Sequence, residues 1–427
     1  MNRAKLFRAR YLLPSAGEPM EDGALLIEGG RIVSVGPFST LRRSDAKIID
    51  YGDAVILPPL VNAHCHLELS LFPQWAKECD ETDAPADFVG WIRRLIRVRR
   101  QVGLEAVPAS VAAGIQQLLA SGTGAIGDIL TTASALSPLL SSPLWGRIYF
   151  ETIGLEEERF APLVAAALAA TPRFKSVLHP GLSPHSTYTI SPRHLETVIV
   201  AARQAGLPLS IHCAESREES TFLRAGRGPI AEELYAAAGW PVPNIAPGVS
   251  PVAWLAAHGA LSAQTLLIHG VQVDASDAAR IAASGATVVL CPRSNARLGV
   301  GTAPIALYQG AGVPLALGTD SLASNASLSL WDEIAFARTV YPEFSPTELL
   351  DLATQGGARA LGLAADMGTL TPGSGAHLQV VTAKALPAVA ELGEWLCSAE
   401  HQVAALWLSG AEVLRQDAPC QKTPQRL

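Results

Sequence analysis

Charge is scarce in this chain. Charged residues make up only 17% of the 427, and the formal net charge of −7 has no long acidic or basic block behind it. That excludes nucleic-acid binding as the main activity. Cysteine is sparse and scattered: Cys65, Cys79, Cys213, Cys291, Cys397 and Cys420 show no C-x-x-C spacing. They read as reduced thiols of a cytoplasmic protein rather than as a disulfide framework. No uninterrupted apolar run approaches the roughly 20 residues needed to cross a bilayer. The start, Met1-Asn2-Arg3-Ala4-Lys5-Leu6-Phe7, has no apolar core of a signal peptide. These absences predict a soluble, cytoplasmic protein with no membrane and no nucleic-acid partner.

What is abundant is apolar. Hydrophobic residues reach 49%, enough for a large buried core and too many for disorder. The length suits one large α/β barrel with an accessory domain. Near the start, Ala24-Leu25-Leu26-Ile27-Glu28 and Arg31-Ile32-Val33-Ser34-Val35 flank Gly29-Gly30, a hairpin signal. Similar strand-like pieces return at Leu378–Thr382 and Val403–Leu408, so the two ends are expected to build one small β domain.

Between the ends, apolar runs alternate with helical patterns, the mark of βα units and a parallel sheet. Eight runs finish in polar residues, at His64–Glu68, Gly127-Asp128, Glu151-Thr152, Ser183–His185, His212–Glu215, His269-Gly270, Cys291–Asn295 and Thr319–Ser321. Helix starts are marked by Ser191-Pro192 and by the capping box Ser345-Pro346-Thr347-Glu348. The expected fold is a (β/α)8 TIM barrel over 58–365, with a small β-sandwich domain formed by 1–57 and 366–427. In such barrels the site lies at the carboxyl ends of the strands.

Five of the ten histidines, His64, His66, His185, His212 and His269, fall at those ends, with Asp320 at the eighth. Two histidines at i and i+2 of the extended Asn62–Glu68 segment point the same way. The apolar run Ala54–Leu57 before them reads as the buried strand that carries them. Neutral imidazoles with one carboxylate suit a divalent ion such as zinc or iron.

Two motifs are set aside. Gly122-Thr123-Gly124-Ala125-Ile126-Gly127 matches G-x-G-x-x-G, but it follows a helix and enters a strand, the reverse of a dinucleotide site. His66-Leu67-Glu68 lacks the Pro-Cys-x-x-Cys partner of the cytidine-deaminase type.

Across essentially its whole length the chain resembles the amidohydrolase superfamily. The resemblance rests on Asn62-Ala63-His64-Cys65-His66-Leu67-Glu68, Ser210-Ile211-His212-Cys213-Ala214-Glu215, Leu267-Ile268-His269-Gly270 and Leu317-Gly318-Thr319-Asp320-Ser321. It is similar to the mononuclear branch, which holds adenosine, cytosine and guanine deaminases and chlorohydrolases. The resemblance implies that His64, His66, His212 and Asp320 bind one divalent ion, zinc or alternatively iron. It implies Glu215 as proton shuttle, His269 polarising water or substrate, and Asp320 as the base that also touches the ion. Such an ion lowers the pKa of a bound water from about 16 to about 7, so hydroxide can attack a ring carbon and ammonia leave. The bridging lysine of binuclear relatives is missing, since Lys175 precedes the fourth run instead of lying within it.

Phe88–Arg100 reads as a helix with apolar residues at 88, 91, 92, 95 and 96 on one face. With Phe150–Leu155, Ser183–Thr189 and Cys291–Asn295, it resembles the aminodeoxyfutalosine deaminases of menaquinone biosynthesis. This implies a purine nucleoside carrying a carboxylate as small-molecule substrate. Glu68, His185, Asn295 and Ser321 are the expected pocket residues, and Arg94 the expected anion partner. Adenosine, S-adenosylhomocysteine and oxidised-guanine deaminases, chlorohydrolases and cyclic amidohydrolases use the same scaffold, and homodimers are common in the superfamily. Pro59 stands where relatives usually have glycine, and His377 replaces a usual aspartate.

Overall fold

The computed structural model describes residues 4–14, 18–83, 85, 87–155, 157–174, 177–242 and 248–416. Lys175 and Cys420 lie outside them. Both chain ends contribute to one mixed eight-stranded sheet. Its strands are β1 (Lys5–Leu12), β2 (Met20–Glu28), β3 (Arg31–Pro37), β4 (Lys47–Asp50) and β5 (Val55–Leu57), joined by three from the far end. The expected hairpin is present: Glu28 faces Arg31 across Gly29 and Gly30, whose φ of 58° and 81° supply the left-handed pair that a tight turn between twisted strands requires.

Eight parallel strands form the barrel: β6 (Leu60–Cys65), β7 (Thr123–Leu130), β8 (Trp145–Thr152), β9 (Leu178–Pro184), β10 (Leu209–Cys213), β11 (Thr265–His269), β12 (Thr287–Leu290) and β13 (Leu315–Leu317). Each pairs with its sequence neighbour, and the ring closes where Cys65 bridges Asp320 in parallel. Thr319 and Asp320 both donate their N–H to the His64 carbonyl, at 3.0 and 3.1 Å. Gly318 permits that closure, because a Cβ there would lie 2.9 Å from His64 Cβ and carbonyl oxygen.

The remaining strands are β14 (Leu378–Thr382), β15 (Gln402–Leu408) and β16 (Ala411–Arg415), and β14 pairs with β5. The sheet curls back on itself: Arg31 bridges Gly375, and the Phe7 ring of β1 meets Trp407 of β15 edge-on at 4.9 Å. Phe7, Leu25, Ile56, Leu378 and Val380 belong to the core enclosed there, distinct from the barrel core.

One expectation is corrected. The run Ala54–Leu57 supplies strand β5 of this terminal sheet, not the strand that carries the histidines. Pro58 and Pro59 lack N–H donors and end the pairing, and a new strand, β6, begins at Leu60 inside the barrel. Pro59 packs near Gly124, where a Cβ would come within 2.8 Å of its own, at the amino end of β6 and away from the histidines. The Gly-rich run at 122–127 enters β7, as its order relative to the helix Val107–Ala120 implied. Among the described residues no single helix is long and apolar enough to cross a membrane.

Candidate metal and active site

The carboxyl ends of the barrel strands gather the histidines and acids around one point. His66 Nε2 lies 3.2 Å from His64 Nε2 and 3.3 Å from His212 Nε2. Asp320 Oδ1 lies 3.6 and 3.5 Å from the same atoms of His64 and His66. Tetrahedral ligands held about 2.0–2.1 Å from an ion are separated from each other by roughly 3.3–3.4 Å. The donor set and its spacing therefore fit one divalent cation. Burial pushes the His66 imidazole down to about 3, so it is neutral, as a ligand must be. Burial opposes ionisation of Asp320, but contact with His64 and the neighbouring imidazoles hold it well below the usual carboxylate range.

Each of these side chains is braced. The His185 carbonyl accepts both the backbone N–H of His212 at 2.9 Å and its ring Nδ1–H at 3.0 Å, which leaves His212 Nε2 with its lone pair. Asp320 Oδ2 accepts from the hydroxyls of Ser294 at 2.7 Å and Ser324 at 2.6 Å, so Oδ1 alone faces the histidines. Asn62 joins β6 to the β13 end, donating to Thr319 Oγ1 at 2.7 Å and accepting from Thr319 N–H at 3.1 Å. Asp128 Oδ1 accepts from Leu67 N–H at 2.8 Å, which fixes the turn after His66.

The backbone is strained at this rim. Ala214, His269 and Asp320 have φ of 52°, 73° and 58°, left-handed values that non-glycine residues seldom adopt. Each follows or ends a barrel strand that delivers a site residue.

Glu215 is buried beside the cluster, its Oε1 3.4 Å from His269 Nε2. Burial first, then the nearby Asp320, raises its carboxyl well above the ordinary range and favours the protonated acid. Glu219 holds the turn that carries it. Glu219 Oε2 accepts from Glu215 N–H at 2.8 Å, and Oε1 accepts from the Thr187 hydroxyl at 2.6 Å. His269 is kept neutral at about 4, chiefly by burial, and its Nδ1–H donates to Asn295 Oδ1 at 2.9 Å.

A cavity of about 180 Å³ opens over the cluster. His66, His212, His269, Glu215 and Asp320 form part of its floor, and Glu68, His185 and Ser321 reach its wall. Glu68 is also tied to the loop after β7, where Thr131 N–H, Thr132 N–H and the Thr131 hydroxyl donate to it. Two expected pocket residues are placed differently. Asn295 stands on the first turn of the helix Pro292–Leu298, behind His269 rather than on the wall. Arg94 turns away, donating to the Glu81 carbonyl at 2.7 Å and lying over Phe72. The helix Phe88–Gln101 presents Trp91, Ile92, Leu95, Ile96 and Arg99 to the cavity instead, at the spacing of one helical face.

Ser294, Ser324, Asp128, Glu219, Glu151 and Arg99 were not identified as site residues from sequence. Asp128 and Glu151 carried the signal of lying at strand ends, and Arg99 that of lying one turn beyond the apolar residues at 91, 92, 95 and 96.

The amidohydrolase family model matches residues 55–400, and an imidazolonepropionase-like composite domain of bacteria matches residues 23–44. An aminodeoxyfutalosine deaminase of Deinococcus radiodurans is 34% identical over 371 residues, 84% of this chain and 86% of that protein. A 5-methylthioadenosine/S-adenosylhomocysteine deaminase of Halobacterium salinarum is 28% identical over 379 residues, 85% of this chain and 80% of the relative. The crystal structure of an adenosine deaminase from Xanthomonas campestris with bound zinc superimposes with a TM-score of 0.80 at 25% identity, covering 96% of this chain and 93% of that one. The chain belongs to the amidohydrolase family.

Proposed function

We propose that this protein is a hydrolytic deaminase of an aminated purine nucleoside, with aminodeoxyfutalosine as substrate and menaquinone biosynthesis as its setting. The observation that carries the chemistry is the buried Glu215 carboxyl, 3.4 Å from His269 at the edge of the histidine cluster, where burial favours the protonated acid. The similarity to the Deinococcus radiodurans protein supports the substrate.

His64, His66, His212 and Asp320 would hold one divalent ion, and the zinc in the Xanthomonas campestris relative supports zinc. When bound, such an ion supplies Lewis acidity that makes water nucleophilic at neutral pH. The protein's own groups manage the protons. Glu215 gives its proton to the ring nitrogen beside the carbon under attack, which makes that carbon electrophilic. Asp320 takes a proton from the attacking water. Its Oδ2 is held by Ser294 and Ser324, so the oxygen facing the water cannot swing away. That proton passes to the amino group, which leaves as ammonia, and the second proton of the water restores Glu215. Neutral His269, oriented by Asn295, holds the water and the Glu215 carboxyl in line. The apolar helix face at Trp91, Ile92, Leu95 and Ile96 would cover the substrate and exclude bulk water.

The test is ammonia release from aminodeoxyfutalosine, adenosine, 5-methylthioadenosine, S-adenosylhomocysteine, guanine and 8-oxoguanine. The highest kcat/KM on aminodeoxyfutalosine is expected. A preference for 5-methylthioadenosine or S-adenosylhomocysteine would move the substrate to that of the Halobacterium salinarum relative. Silence on all six, with metal bound, would overturn the deaminase reading.

A further inference from the structure

The cavity wall carries polar side chains that the proton chemistry above leaves idle. Glu151, near the end of β8, has a side chain only 7% exposed, yet its Oε1 has no hydrogen-bond partner among the described residues. His185 Nε2 stands 3.9 Å from that oxygen, beyond hydrogen-bond reach, while its Nδ1 is engaged with Thr189 Oγ1 at 2.8 Å. Arg99 lines the same wall, and its buried Nη1 finds no acceptor among the described residues. A donor and an acceptor without partners thus lie buried in two residues of one cavity wall. Burying such groups unpaired costs free energy that a ligand's own polar groups would return.

Charge decides what that ligand is. Glu68, already bonded to the loop at Thr131 and Thr132, lies 3.9 Å from Arg99 and offsets its charge. Burial, then the proximity of Glu68, pushes Glu151 up to about 8, so it adds little negative charge at neutral pH. With the Arg99 charge offset by Glu68 and Glu151 adding little negative charge, neither an anion nor a cation meets an uncompensated partner here. An uncharged group that both donates and accepts suits the site, and a vicinal hydroxyl pair is such a group.

We propose that Glu151, flanked by His185 and Arg99, is the subsite for the 2′- and 3′-hydroxyls of the nucleoside's ribose, and therefore determines the preference for ribosides. This rests on the nucleoside reading above. It also assigns the helix arginine on this wall to a neutral sugar rather than to an anionic substituent.

Steady-state ammonia release would be compared for adenosine, 2′-deoxyadenosine and 3′-deoxyadenosine, or the same series built on aminodeoxyfutalosine if that is the riboside turned over. The wild type is expected to favour the riboside in kcat/KM by at least roughly tenfold over each deoxy analogue, chiefly through KM, because each missing hydroxyl leaves a buried partner unpaired. Glu151→Leu should reduce that ratio to below about threefold, since the partner is gone from both complexes. Glu151→Gln, which keeps a donor and an acceptor, should retain most of the preference and serves as the check on folding. A preference that survives in Glu151→Leu, or one absent from the wild type, overturns the subsite while leaving the deaminase intact. A wild type that deaminates no nucleoside overturns both.

Discussion

Removing the Glu219 carboxylate should cripple the enzyme without touching its metal. Glu219 is buried at 1% exposure and accepts from Glu215 N–H and the Thr187 hydroxyl, with further backbone N–H groups of Ala214 and Ser216 near it. The backbone groups among them belong to the turn that Ala214 enters in a left-handed conformation, with φ of 52°. Glu219→Ala leaves at least two buried donors without an acceptor. At about 1–3 kcal/mol each, stability should fall by roughly 2–6 kcal/mol. The released turn carries Glu215, and a displacement of about 1 Å at a reacting group costs roughly 10²-fold in rate. Glu219→Gln should be mild: its remaining oxygen faces Glu215 N–H, and its amide faces Thr187 Oγ1, which accepts as readily as it donates. The assay is kcat for ammonia release, beside metal content and thermal denaturation of the same preparations. If Glu219→Ala keeps wild-type kcat at full metal occupancy, the clamp reasoning is refuted. If it loses metal as well, the turn is braced differently from this account.

Two further outcomes follow from the same contacts. Burial raises the Glu219 carboxyl from 4.5 to about 7, so between those pH values the folded chain keeps a proton that the unfolded chain has lost. Its contribution to stability is therefore full below about pH 4.5 and fades as pH rises through 7; melting temperatures from pH 4.5 to 8 should fall more for wild type than for Glu219→Gln, and parallel curves would contradict this. Asn295→Leu removes the acceptor of His269 Nδ1, so kcat should drop about tenfold with metal content unchanged. Loss of metal in that variant would show His269 acting as a ligand.

The clustering of these side chains is legible in the sequence because they sit where chain geometry leaves little freedom. Strand ends of a parallel barrel point at one place, so His64, His66, His212, His269 and Asp320 needed only their positions along eight apolar runs. The first strand was misjudged because Val55–Leu57 is as apolar as a barrel strand. The two prolines that divert it into the terminal sheet carry no hydrophobic signal. Ser294, Ser324 and Glu219 escaped notice because hydroxyls and carboxylates in loops and first helical turns look alike whether they face solvent or a buried aspartate. Asn295 was assigned to the pocket from its motif, but on a helix one residue turns a side chain by about 100°. That step separates Ser294, on Asp320, from Asn295, behind His269. The same arithmetic distinguishes Arg94 from Arg99, and extending the apolar face by one turn would have selected the latter.

The most direct test combines metal analysis with ammonia release for Glu215→Gln. The account predicts about one divalent ion per chain, as in wild type, and a kcat reduced by roughly 10²–10⁴-fold, because the ligand cluster is intact and only the buried acid is gone. A variant that binds its ion and still releases ammonia at near wild-type rate would contradict the proton role at the centre of this mechanism.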